Sequence, residues 1–575
     1  MEPRDATFFT NPVLPWQRRY EALRALVVER LPARLVAERF GYTRSYVYLL
    51  HHLFKTGRLD FAEPVPEGKA HRHRVGAEVR RKIRAWREKR LSAGEIAQLL
   101  SEDGVEISVR TVERVLAEEG FPKLPRRTRL KIGLTVKGTE VPERSEAITV
   151  DRVAGQAFDS PAAGVFLFAP FLAQLDIAAI VREAALPGTR AIPALGYFLS
   201  FLAAKLLGTE RYAHIGEHAF DPGLGLFAGL NVLPKCTAMS TYSYSLDDAH
   251  VMRLQQAFVR RASALGLYDG QCVNLDFHTI PHYGEESVLE THWAGAHGKR
   301  MKGALTLFAQ DAESKLILYT AADILRREAD DQVIEFLAFW RKIGRGLPPR
   351  FLFDSKFTSY KRLAELDAAG VKFITLRRRG AALLASVARL GSWQRITIPH
   401  EKRKYPRLEV HDAIIALPRY DGDIRQIVMR GNGREQPAFL ITNDFELPVE
   451  LAVGHYARRA RVENGIAEGV KFFNLNALSS PILVKVHFDV ALTMIADTLY
   501  TMLARHLRRF ELCDAPKLYR TFVRGKGTVA VDKHGALTVT YPRRAGNPVL
   551  RAVDWNHLPL TLPCLDNTAL SLQFR

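Results

Sequence analysis

Apolar residues recur at helical spacing up to about residue 120, in two groups of three segments. The first group reads WQRRYEALRALVVERL, PARLVAERF and, after Gly41, TRSYVYLLHHLF with Thr43 as N-cap. The second reads VGAEVRRKIRAWREKR, LSAGEIAQLL and VEISVRTVERVL, with Ser92 and Glu95 spaced for a capping box and Ser108 for an N-cap. From 150 to 268 the runs are helical and strongly apolar, and they predict a scaffold. After Gln271 the period becomes that of strands. CVNLDFHTIPHYG predicts a buried strand, MKGALTLFAQDAESKLILYTAADI a hairpin turning at DAES, and DDQVIEFLAFWRKI an amphipathic helix. RFLFDSKFTSYKRLAELDAAGVKFITLRRRG then predicts strand, helix and strand, so the segment folds as a mixed α/β sheet. About 381–445 is β-rich. Helix returns at LPVELAVGHYARRARVENGIAEGV and continues to about 505, and GTVAVDKHGALTVTYP makes 515–575 a small β appendage.

The resulting plan is multidomain, α followed by α/β. It has helix-turn-helix units over 1–62 and 75–121, a basic linker over 122–149, a helical scaffold over 150–268, a mixed-sheet domain over 269–505 and the C-terminal β region. Charge supplies the first clue to a partner: the 575 residues carry a formal +20. Such an excess suits a polyanion, either nucleic acid or an anionic membrane surface. The apolar runs at 162–181 and 191–208 are interrupted by Gln174 and Asp176, and by Pro193 and Lys205, so no clean membrane span is expected. The N-terminus lacks a signal-peptide pattern. Four scattered cysteines without a CxxC pair fit a reducing cytoplasm. Nucleic acid is therefore the expected partner, and the two tandem helix-turn-helix units make it double-stranded DNA. Arg44, Ser45 and Tyr46 in the first unit, and Ser108, Arg110 and Arg114 in the second, fall on the helices that would face a groove. A helical protein-interaction bundle with solvated charges is the alternative for these units.

Asp276 lies within VNLDFHT and Asp354 ends RFLFD, both acids in segments otherwise built to be buried. An ionised carboxylate there needs compensation, and a divalent cation provides it. In HYARRARVENGIAEGVKFF, Tyr456, Arg459 and Glu463 are spaced i, i+3 and i+7, which puts them on one helix face. Three convergent carboxylates, Asp276, Asp354 and Glu463, would hold two Mg²⁺ or Mn²⁺ ions for phosphodiester chemistry. Tyr456 and Arg459 would clamp the phosphate, while Arg458 and Arg461 would hold the backbone. A solvated basic helix, with Glu463 paired to an arginine, is the alternative.

These three blocks resemble the catalytic blocks of DDE transposases from bacterial insertion sequences, in the group with a Tyr-x2-Arg-x3-Glu-x6-Lys signature. The resemblance implies an RNase H-like core with a β insertion before the glutamate, and metal-binding roles for Asp276, Asp354 and Glu463. It also implies a dimer on DNA and a place in the bacterial cytoplasm, at the nucleoid. The chain departs from the pattern at Lys471, which stands one residue late, and at Ala460, where tryptophan is common. Trp393 in the insertion is a candidate base-stacking residue, as in some relatives, or a packed core residue. His278 would share the strand face of Asp276. HGKRMKG (297–303), RRRG (377–380) and HEKRKYPR (400–407) are candidate DNA-tracking patches or solvated loops. The function implied is end binding followed by metal-dependent strand cleavage and strand transfer. A nuclease without integration activity and an inactive DNA-binding remnant or regulator are the alternatives.

Overall fold

The computed structural model describes residues 12–59, 61, 75–89, 91–121, 124, 143–268, 270–283, 289–294, 297–322, 324–346, 350–357, 359–398, 406–433, 435–459, 472–477 and 482–575. The chain divides into two compact units, Met1–Thr139 and Glu140–Arg575.

In the first unit, α1 (Pro15–Val27), α2 (Ala33–Phe40) and α3 (Arg44–Lys55) enclose a core of Ala22, Val36, Phe40 and Val47. The chain turns between α2 and α3 at Gly41, whose φ of 68° is left-handed and suits a residue without Cβ. Thr43 Oγ1 caps α3 by accepting from the Tyr46 N–H at 3.2 Å. A second bundle, α4 (Ala77–Glu88), α5 (Ala93–Glu102) and α6 (Val109–Glu118), closes around Ile83, Ile96, Leu100 and Val112. Its capping box forms in both directions: Ser92 N–H donates to Glu95 at 2.6 Å, and Glu95 N–H donates to Ser92 Oγ at 3.3 Å. Ser108 caps α6 through the Thr111 N–H.

In the second unit α7 (Ala194–Leu206) is mostly apolar and is buried from Gly196 to Leu206, with Lys205 paired to Asp489 at 2.7 Å. It packs with α8 (Asp248–Ala264) and the long helix Leu483–His506 into one continuous core. No single helix among the described residues is long and apolar enough to cross a membrane, and the bent apolar pair at 163–183 is packed in the core through Phe166, Phe171 and Ile180.

A small sheet combines β1 (Ala157–Ser160) with four C-terminal strands: β12 (Gly527–Val531), β13 (Leu537–Tyr541), β14 (Thr561–Leu562) and β15 (Thr568–Phe574). The tail is thus no free appendage. Its outer strand β12 pairs with β1, Ala157 opposite Ala530, and Val529, Val539 and Tyr541 are fully buried in the common core. The four-residue β1 is too short to show a period, and its partner lies far along the chain.

The main sheet is built from β2 (Cys272–Pro281), β3 (Thr291–Ala294), β4 (Lys299–Asp311), β5 (Ile317–Ala321), β6 (Arg350–Phe353) and β7 (Phe373–Leu376). Its order is β5-β4-β2-β6-β7, with β3 paired to the outer end of β4. β2 runs antiparallel to β4 and parallel to β6, and β6 is parallel to β7. Helices α9 (Gln332–Lys342) and α10 (Tyr360–Ala368) supply the crossovers on one face. The β-rich stretch provides β8 (Gln394–Thr397), β9 (Arg407–Ala416), β10 (Asp423–Arg430) and β11 (Ala438–Thr442), and β11 pairs antiparallel with β7. The insertion therefore extends the main sheet. Helices α11 (Val449–Arg458) and α12 (Leu483–His506) complete the unit. β2 and β4 approach closely at Gly303, where a Cβ would fall 2.4 Å from the Ile280 carbonyl oxygen.

Candidate active site

Strand alternation gives β2 two unlike faces. Val273, Leu275 and Phe277 point to the apolar side, where Phe351 of β6 meets Phe336 of α9 at 5.0 Å between ring centres. Cys272, Asn274, Asp276 and His278 point to the other side, which α11 covers. There Cys272 and Leu352 share a cluster with Val449, Ala452 and Val453, and Tyr456 packs against it.

β2 and β6 are in parallel register with Leu275 opposite Phe353. Asp276 and Asp354 are the next residues on the two strands, so the carboxylates leave backbones roughly 4.8 Å apart. Asp276 Oδ1 accepts from the Phe277 N–H at 3.0 Å, and Asp354 Oδ1 from the Ser355 N–H at 2.6 Å. α11 brings two further residues to the pair. Arg459, 8 % exposed, places a guanidinium nitrogen 3.4 Å from Asp276 Oδ1. The same guanidinium lies 5.6 Å from the Tyr456 ring centre. Burial pushes the Tyr456 phenol up to about 12, with Asp354 and Asp276 adding to the shift and Arg459 opposing it. The phenol is a proton donor at any physiological pH.

Asp276, Asp354, Tyr456 and Arg459 therefore lie together on one face of the sheet. α11 ends at Arg458 with Arg459 as its C-cap. Glu463 and Lys471 lie outside the described residues, as does Arg461. Arg458 points away from the carboxylates and pairs with Glu313 at 3.6 Å. His278 Nε2 lies 3.0 Å from Asn476 Oδ1, and burial lowers its pKa, so the ring is neutral.

Several expected DNA contacts are arranged differently. Arg377 bonds the Tyr360 hydroxyl and Gln426, and Arg378 donates to the carbonyls of Ser355 and Lys356, at 3.0 and 3.2 Å. Arg378 thus folds back to brace the turn after Asp354, while Arg377 ties β7 to α10 and β10. The signal available in sequence was their place at a strand end, which reads equally as a loop. Trp393 has one ring face covered by the Arg430 guanidinium at 3.9 Å. In the N-terminal unit Arg44, Arg110 and Arg114 are exposed, Arg114 beside Glu118 at 3.8 Å, whereas Tyr46 is half-buried against Tyr42.

Among the described residues no group of three or more metal-ligating side chains converges. The Asp276–Asp354 pair nonetheless has the chemistry of a hard-cation site: two carboxylates from adjacent strands, with the Arg459 guanidinium beside Asp276.

Residues 266–499 match the family model described as a transposase DDE domain. The chain carries a transposase DDE domain. It is accordingly a DNA transposase, an enzyme that cleaves and joins DNA strands. The match spans β2 to α12, including both carboxylate strands, α11 and the β insertion. Among solved structures the DDE chain is similar to a piggyBac transposase synaptic complex with hairpin DNA, at 10% identity and TM-score 0.36, covering 64% of this chain and 82% of that one. It is also similar to a Mos1 transposase paired-end complex with left transposon end, at 13% identity and TM-score 0.13, covering 63% and 77%. A third is a Mos1 mariner paired-end complex with Mn, at 11% identity and TM-score 0.13, covering 62% and 76%. The assignment of the domain rests on the family model. No curated protein matches the chain.

Proposed function

We propose that this transposase cleaves and transfers DNA strands at a metal site formed by Asp276, Asp354 and Glu463. The observation that carries the reading is the placement of Asp276 and Asp354 at consecutive positions of adjacent parallel strands, under the helix bearing Tyr456 and Arg459. The sheet order β5-β4-β2-β6-β7 supports an RNase H-like core. Two Mg²⁺ or Mn²⁺ ions bound there would supply an activated oxygen nucleophile and stabilise the leaving oxygen. The chain's own groups do the positioning. The neutral Tyr456 phenol donates a hydrogen bond to a phosphate oxygen, and Arg459 sets the charge balance between Asp276 and that phosphate.

In this reading the two N-terminal bundles are helix-turn-helix units that bind double-stranded DNA at the element ends through Arg44, Arg110 and Arg114. Two copies act together on DNA in the bacterial cytoplasm. The test is Asp354→Asn in a plasmid carrying both ends. Strand cleavage should be lost while end binding in a mobility-shift assay persists. Cleavage by the variant would overturn the site, and nicking without insertion by the unaltered protein would favour the nuclease reading.

A further inference from the structure

The sheet face that carries Asp276 does not stop at the carboxylates. Residues directly opposite in an antiparallel pair share a face. Asp276 lies opposite Phe308, His278 opposite Thr306 and Ile280 opposite Ala304. Continuing along β4 with a period of two, the same face reaches Lys302 and Arg300. There β4 leaves β2 and pairs with β3 as a two-stranded ribbon, with Trp293 opposite Arg300 and Thr291 opposite Lys302. Trp293, Arg300 and Lys302 thus stand on the catalytic face, on an element that projects beyond the core sheet.

Trp293 is 57% exposed, while its strand neighbours His292 and Ala294 are buried on the reverse side. Arg300 and Lys302 are exposed beside it. The ribbon thus leaves a large aromatic more than half in solvent, beside two cations. It matches the chemistry that holds nucleic acid, in which cations take backbone phosphates and a ring stacks on a base. Eight residues of β4 separate the partner of Asp276 from the partner of Trp293. At about 3.4 Å per residue the ribbon lies roughly 27 Å from the carboxylate. That is about eight base pairs of duplex.

We propose that the β3–β4 ribbon is a second DNA contact of this transposase. It would grip the bound DNA about eight base pairs from the cleavage point, with Arg300 and Lys302 on phosphates and Trp293 stacked on a base. The proposal rests on the reading of Asp276 as part of the cutting site, which fixes where the DNA lies.

The test uses the full chain and a series of element-end duplexes extended by increasing lengths on each side of the cleavage point. For duplexes long enough to reach the ribbon, Trp293→Ala should weaken binding roughly 5- to 150-fold, the range for loss of one stacked base. Trp293→Phe should recover most of it. Arg300→Ala with Lys302→Ala should lower the slope of log affinity against log salt by about two. For duplexes cut short of the ribbon, all variants should bind like the unaltered protein. Equal binding by Trp293→Ala at every length, or a loss that is the same for short and long duplexes, would overturn the proposal. The cutting site is judged separately by Asp354→Asn, so the ribbon can fail while the site stands.

Discussion

Replacing Arg459 with glutamine tests the contact that ties α11 to the catalytic strand. Arg459 and Asp276 stand 3.4 Å apart, with side chains 10% and 15% exposed. At an effective dielectric constant of about 20, that separation corresponds to a gross attraction of roughly 5 kcal/mol. Most of it offsets the desolvation of the two ions, yet removing one partner strands the other. Breaking such a pair costs about 3–5 kcal/mol when fully buried. The residual exposure and the long contact put this one at about 2 kcal/mol. In a unit of this size each kcal/mol moves the melting temperature by about 1 °C, so Arg459→Gln should lower it by about 2 °C without metal. Asp276→Asn should also destabilise. The double variant should lose about 1–2 kcal/mol less than the sum of the two single losses. Scanning calorimetry of the four proteins in chelator closes the cycle. Strictly additive losses would show that the guanidinium does not neutralise Asp276, and the charge-balancing role given to Arg459 would fall with it.

Leu352 is 1% exposed and fills the layer between β6 and α11. Leu352→Ala should therefore cost about 2–5 kcal/mol and depress cleavage, because Tyr456 and Arg459 move with the helix; a calorimetric melt unchanged from the parent would contradict the packing. His278 is held neutral by burial, its pKa below the ordinary histidine value. The unfolded chain takes up that proton first, so stability present above about pH 6.5 is lost as pH falls toward the folded pKa. His278→Gln should accordingly reduce the drop in melting temperature from about pH 7.5 to about pH 5.5, and equal drops in the two proteins would exclude the group.

Much of the site was legible because local pattern and function coincide there. RFLFD announces a buried strand that ends in an acid, and the i, i+3 spacing of Tyr456 and Arg459 needs only a helix to place both over it. What escaped was non-local. No pattern near Arg459 says that its guanidinium reaches Asp276, and none near Arg378 says that it folds back on the turn after Asp354. The AFDS strand paired with residues near 530 was hidden for the same reason, being four residues long and remote from its partner. Trp293 carries no periodic signal, being a single aromatic in a polar stretch, and only strand pairing shows what stands beside it.

The antiparallel seam between β7 and β11 ties the insertion's fate to that of the domain around it. Excising 381–445 would not simply shorten a loop. It would bare the backbone amides and carbonyls of β7, a central strand with the wholly buried sequence Phe373, Ile374 and Thr375. An uncapped rim of that kind recruits other chains and precipitates. Variation of this element is thus confined to its loops and outermost strand, and any lineage that lost it would have needed another cover for the same rim.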